Sequence, residues 1–140
     1  MMIDFSSLMD RLDAADDILI LMHQFPDGDT IGCAHALGRA LQILGKNVKL
    51  GCNHEINEKY RYITDIVEPQ QFDEQYIIAV DVADFKLLGA KYADFTDKID
   101  LCIDHHGTNS LQAKEKYVDV KAAAASEIIC ELATYLGVSF

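Results

Sequence analysis

Apolar residues along the chain follow two rhythms in alternation. Between Asp4 and Ala14 they fall at Phe5, Leu8, Met9 and Leu12, a spacing that gathers them on one face of a helix. Asp17-Ile18-Leu19-Ile20-Leu21-Met22 follows as a short unbroken apolar run, the form of a strand buried on both faces. From Thr30 to Leu44 the helical spacing returns, with Ile31, Ala34, Leu37, Leu41 and Leu44 along one side and Gly45 beyond as a natural C-cap. Gly32, Ala36 and Ala40 add a row of small residues that would let this helix lie close to a sheet.

The pattern then repeats in shorter pieces. Asn47 to Cys52 predicts a second strand, Asn57 to Ile66 a short helix, Gln75 to Asp81 a third strand and Lys98 to Asp104 a fourth. Ala122 to Leu136 predicts a closing helix, with Ile128, Ile129, Leu132 and Leu136 inward and Gly137 past its end. Apolar strands alternating with helices predict an α/β domain, a mainly parallel sheet with helices on both faces. In open sheets of that kind ligands bind outside the carboxyl ends of the strands. The chemically distinctive clusters of this chain all fall at such ends.

Composition narrows the function classes. A chain of 140 residues without repeats, low-complexity tracts or linkers reads as one domain. Its longest apolar runs, Ile18 to Met22 and Ile77 to Val80, fall far short of the roughly 20 residues a membrane helix needs. The start, Met1-Met2-Ile3-Asp4-Phe5, lacks the basic opening and apolar stretch of a signal peptide, so the expectation is a cytoplasmic protein without membrane contact. Cys33, Cys52, Cys102 and Cys130 lie far apart with no CxxC pair, which reads as buried free thiols. A net charge of −11 argues against a grip on long duplex nucleic acid, which needs a basic surface. An acidic protein can still process phosphate esters if bound cations supply the positive charge.

Three clusters carry candidate chemistry. His23-Gln24-Phe25-Pro26-Asp27-Gly28-Asp29 sits between the first strand and the long helix. Its carboxylates repel each other unless something positive lies beside them, although either could simply cap the helix. Asp81-Val82-Ala83-Asp84 ends the third strand, and Asp84 equally reads as a cap for the next helix. Asp104-His105-His106 ends the fourth. Together the clusters place carboxylates and imidazoles along one edge of one sheet, an arrangement strongly unfavourable without cations. Carboxylates mixed with imidazoles, and no thiol in the clusters, suit Mn²⁺ or a similar divalent ion, with Mg²⁺ or Co²⁺ as substitutes. Two such ions roughly 4 Å apart would clamp a phosphate oxygen, and phosphate ester hydrolysis is the reaction that site favours.

In combination these residues resemble the DHH phosphoesterase family. His23-x-x-Pro26-Asp27-x-Asp29 resembles its first motif, Asp81-x-x-Asp84 its second, and Asp104-His105-His106 the one that names it. Lys121 to Leu132, with Ala124-Ala125-Ser126-Glu127-Ile128-Ile129, looks like the following helix in the branch that hydrolyses short oligoribonucleotides and 3′-phosphoadenosine 5′-phosphate. The resemblance runs from about Asp16 to Leu136 and implies a Rossmann-like domain. It implies that His23, Asp27 and Asp81 hold one ion, and that Asp29, Asp81 and His105 hold another, with Asp81 bridging. It further implies that His106 contacts the substrate phosphate, that Asp104 orients the histidine pair, and that Ser126 touches substrate. His35 and His54 match no motif and read as structural or surface residues.

The resemblance also implies a fourth acidic motif and a C-terminal substrate-binding domain, and the chain stops at Phe140 before either. The expectation is therefore residues 1–140 as a truncated N-terminal DHH domain acting on short oligonucleotides, nucleotides, or linear or cyclic dinucleotides. A metal- or nucleotide-binding module without turnover, and an inorganic pyrophosphatase of a related branch, remain the alternatives. Assembly as a homodimer stays open.

Overall fold

In β1 (Ile18–Leu21) every residue is buried, because the strand has a packed layer on each side. Ile18 and Ile20 enter one core, Leu19 and Leu21 the other. The alternation recurs in β3 (Tyr76–Val80), where Ile78 and Val80 oppose Ile77 and Ala79, and in β4 (Leu101–Asp104), where Leu101 and Ile103 oppose Cys102. Such double burial is what unbroken apolar runs encode. The structure, a computed structural model, describes residues 1–138.

With β2 (Val48–Gly51) and β5 (Glu115–Val118) these strands form a five-stranded sheet in the order β2-β1-β3-β4-β5, every adjacent pair parallel. The expected α/β architecture is thus present. One face carries α1 (Phe5–Ala14), α2 (Gly28–Ile43) and α4 (Ala125–Leu136). The other is covered by two 3₁₀ segments, Phe85–Leu88 and Ala90–Phe95, through Leu88 and Tyr92. The chain leaving β1 enters α2 on the first face, whereas the chain leaving β3 enters the 3₁₀ layer on the second. Between these neighbouring strands the connections part, and a crevice opens at their carboxyl ends.

Local signals account for the helix starts. The Asp4 carboxylate accepts from the Ser7 N–H at 2.8 Å and the Asp27 carboxylate from the Thr30 N–H at 2.9 Å, each satisfying a free donor of a first turn. Gly45 and Gly137 take the left-handed conformation beyond α2 and α4.

Several expectations are corrected. β5 is a strand that periodicity did not indicate, since its Glu-Lys-Tyr-Val is half-buried at the sheet edge. The helix expected over Asn57 to Ile66 is a 3₁₀ turn (Glu58–Tyr60) followed by a single α turn, α3 (Arg61–Thr64). Leu44 is 41% exposed, because α2 has already ended when it is reached. Close approach of α2 to the sheet depends on Gly38: a Cβ there would lie 3.2 Å from Leu50 Cδ1, whereas one at Gly32 would meet nothing within 4 Å. Of the cysteines only Cys33 and Cys102 are buried, while Cys130 faces outward from α4. No helix among the described residues is long and apolar enough to cross a membrane.

His35 is buried inside α2, with its Nδ1 2.7 Å from the Ile31 carbonyl oxygen. Burial pushes its pKa below the ordinary 6.5, so the native ring stays neutral where the unfolded chain takes up a proton. Its contribution to stability is therefore present above about pH 6.5 and is lost as the pH falls below that value. Thermal unfolding at pH 7.5 and 5.5 should show a drop in midpoint that is smaller in His35→Leu. An equal drop in both proteins would remove His35 as a source of acid sensitivity.

Candidate metal centre

The loop between β1 and α2 supplies the first acidic cluster. His23 Nδ1 accepts from the Phe25 N–H at 3.0 Å. Asp27 holds the N-cap of α2, and the backbone bond from Thr30 keeps its carboxyl below the usual carboxylate range. Asp29, in the first turn, accepts a long bond from Cys33 Sγ at 3.5 Å. Burial, and next the Asp29 charge, push the Cys33 thiol well up, so it stays a neutral donor.

Asp81 follows β3 with φ of 60°, the left-handed region that aspartate tolerates better than most residues but still at some strain. Its N–H donates to the Ile103 carbonyl at 2.9 Å, which fixes it beside the end of β4. Thr30 Oγ1 donates to Asp81 Oδ2 at 2.7 Å. The other oxygen, Oδ1, is buried without a hydrogen-bond partner among the described residues, although His105 Nε2 lies 3.1 Å away. Burial raises the Asp81 pKa; the Thr30 bond opposes this, and the Asp29 and Asp104 charges add to it.

At the end of β4 the fully buried Asp104 uses both oxygens. Oδ1 accepts from His106 Nδ1 at 2.7 Å and Oδ2 from Asn109 Nδ2 at 2.7 Å. Asn109 is itself oriented, because its Oδ1 accepts from Lys116 Nζ at 3.0 Å and from the Leu111 N–H at 3.1 Å. An ionised carboxylate only accepts, so Nδ1 of His106 carries the hydrogen and Nε2 is the nitrogen left for a ligand.

The sheet therefore collects much of what the sequence singles out. Ligand atoms of Asp81, Asp104, His105 and His106 lie within 4.8 Å of one another. A cleft of about 340 Å³ joins Asp81 and His106 to His23, Phe25, Asp27 and Thr30. Asp29 is not on that cleft wall; its carboxylate is turned to Cys33. Ser126 is not brought to the cleft either, lying exposed in the first turn of α4. Asp84 caps the Phe85–Leu88 segment through the Lys86 N–H at 2.9 Å, as the plain capping reading has it.

The donor set fits a hard divalent cation. It offers carboxylate oxygen and imidazole nitrogen, and a buried carboxylate oxygen that no donor among the described residues satisfies. Sequence reasoning missed Thr30, Asn109 and Lys116, whose roles depend on which strands become neighbours. A buried hydroxyl beside an acidic loop, and an amide three residues past His106, were the available hints.

The chain is similar to known proteins in sequence and in fold. Residues 17–139 match the DHH family, N-terminal domain. The chain is 29% identical over 132 residues to the probable bifunctional oligoribonuclease and PAP phosphatase NrnA of Streptococcus mutans serotype c, covering 92% of this chain and 42% of that protein. It is 26% identical over 132 residues to the bifunctional oligoribonuclease and PAP phosphatase NrnA of Mycoplasma pneumoniae, covering 87% of this chain and 40% of that protein. The crystal structure of an exopolyphosphatase-related protein from Bacteroides fragilis superposes with a TM-score of 0.70 at 19% identity, over 94% of this chain and 44% of that one. The chain thus spans less than half the length of these relatives.

Proposed function

Because the chain belongs to the DHH family through its N-terminal domain, we propose that it is a metal-dependent phosphoesterase acting on short oligoribonucleotides or small nucleotides such as 3′-phosphoadenosine 5′-phosphate. The observation that carries this reading is Asp81 Oδ1, a buried carboxylate oxygen that makes no hydrogen bond among the described residues, set among two imidazoles and a second carboxylate. Mn²⁺ suits these donors best. His23, Asp27 and Asp81 would hold one ion, and Asp29, Asp81 and His105 the other. His23 and Asp29 would each exchange a bond within the protein, to the Phe25 N–H and to Cys33 Sγ, for an ion. When bound, the ions supply positive charge to the phosphate oxygens and acidify a water molecule.

The remaining work falls to the chain itself. Asp104 fixes the ring of His106 through Nδ1 and leaves Nε2 to the cleft. With a second proton on Nε2, the ring donates to a phosphate oxygen as charge develops there. Thr30 holds Asp81 Oδ2, leaving Oδ1 turned to the histidines. The net charge of −11 favours short substrates over long polymers, which need an extended basic track.

The test is a calorimetric Mn²⁺ titration of this 140-residue chain beside hydrolysis of a diribonucleotide. Two ions per chain, with mononucleotide release that ceases on chelation, are expected. A chain that binds no divalent ion, or that binds two and releases nothing, would overturn the proposal for this chain.

A further inference from the structure

The loop after β1 is a ridge with two sides. His23, Phe25 and Asp27 line the metal cleft, and Gln24, Phe25 and Pro26 line a separate groove of about 220 Å³. Phe25 is common to both, so a ligand that leaves the cleft past its ring enters the groove. Phe25 is 68% exposed, with its ring available to a ligand from solvent. Its ring stacks on that of His54, with centroids 4.9 Å apart and planes 15° from parallel. His54, matched by no motif, also lines the groove.

The geometry points to this groove as a nucleobase subsite, in which the Phe25–His54 wall stacks against the base of the nucleotide whose phosphate occupies the metal cleft. The inference rests on the phosphoesterase reading and names the part of the substrate that reading leaves unassigned. A planar aromatic group is the ligand that an exposed aromatic wall selects. A second phosphate is disfavoured, because Glu55 lines the groove and, among the described residues, no lysine or arginine does. Gln24 and Asn57 at its margin offer amide groups to the polar edge of a base. Stacking of this kind tolerates any base, so the subsite confers preference for nucleotides over other phosphate esters without reading sequence.

The chain has no tryptophan, so Phe25→Trp introduces a single fluorescent reporter on the wall. Adenosine 5′-monophosphate and ribose 5-phosphate, titrated calorimetrically in the presence of Mn²⁺, differ only in the base. The wild-type chain should bind the nucleotide about tenfold more tightly. Phe25→Ala should abolish that gap, with an unchanged far-ultraviolet circular dichroism spectrum certifying the fold. Phe25→Trp should keep the gap, with tryptophan emission quenched by the nucleotide and not by the sugar phosphate. Equal affinity of the wild-type chain for both ligands, or a gap that survives in Phe25→Ala, would overturn the subsite and leave the phosphoesterase reading standing. Binding of neither ligand would overturn both together.

Discussion

Asp81→Asn should make the metal-free chain more stable and at the same time remove its divalent-ion binding and hydrolysis. In the absence of metal the Asp81 carboxylate is 9% exposed, faces the Asp29 and Asp104 charges, and has one oxygen with no hydrogen bond among the described residues, His105 Nε2 lying 3.1 Å away. Burial raises its pKa, so the unfolded carboxylate ionises at a lower pH than the native one. The native state is therefore penalised above the unfolded value of about 3.8, and the penalty is relieved only as the pH falls through the raised native value. Asparagine removes the charge, keeps an oxygen for the Thr30 hydroxyl, and tolerates the φ of 60° at least as well. A gain of about 1 kcal/mol, or roughly 3–5 °C in Tm, is expected for the chelator-treated protein. A carboxylate proposed to bridge two ions cannot be replaced by an amide, and hydrolysis should fall at least about a thousandfold. Differential scanning calorimetry with chelator and Mn²⁺ titration check the two halves. A lower Tm together with retained Mn²⁺ binding would show that Asp81 is structural and that the ion sits elsewhere.

Asp104→Asn should leave the fold and Mn²⁺ stoichiometry in place and lower hydrolysis roughly a hundredfold, because His106 then accepts at Nδ1 and can no longer carry a proton on both nitrogens. Asp104 accepts two bonds, from His106 Nδ1 and Asn109 Nδ2, and an amide at that position can accept only one. Asn109 cannot turn to relieve the conflict, because Lys116 Nζ and the Leu111 N–H both donate to its Oδ1. His106 must therefore yield, accepting at Nδ1 and carrying its hydrogen on Nε2. Nitrogen-15 NMR of the ring should show that exchange. Combining Asp104→Asn with Asn109→Asp offers the same bonds in reversed order, since the carboxylate at position 109 accepts from the amide at position 104 and pairs with Lys116. The double variant should recover part of the activity and the original tautomer. Loss of hydrolysis with an unchanged His106 spectrum would mean that Asp104 acts by charge and not by orientation.

How much of this was legible in the chain depends on the range of the interaction that fixes each feature. β1, β3 and β4 were legible because a strand covered on both faces must be apolar throughout, and Ile18 to Leu21 and Ile77 to Val80 satisfy that within their own few residues. The site motifs were legible for the same reason: His23 to Asp29, Asp81 and Asp104 to His106 are contiguous and fall where apolar runs stop. The 3₁₀ layer at Phe85–Phe95 was not, since a short turn has no periodicity to read and its apolar residues gain meaning only from Cys102 and Leu19 beneath them. β5 was not, because an edge strand that carries Glu115 and Lys116 is held by backbone pairing to β4, which leaves no apolar signature.

By itself, then, the sequence determined the class of fold, the elements that bury an apolar stripe, and the clustering of acids and imidazoles at strand ends, since all of these are encoded by neighbours along the chain. Only the tertiary structure decided that β1 and β3 lie side by side, so that Thr30 from one connection reaches Asp81 from the other. It also decided that Lys116 on the edge strand steadies Asn109, that Asn109 and His106 share Asp104, and that Asp29 turns to Cys33 and Ser126 to solvent. Strand order and side-chain direction are settled by packing between segments far apart in the chain, and a single bond of 2.7 Å across 51 residues leaves no local trace.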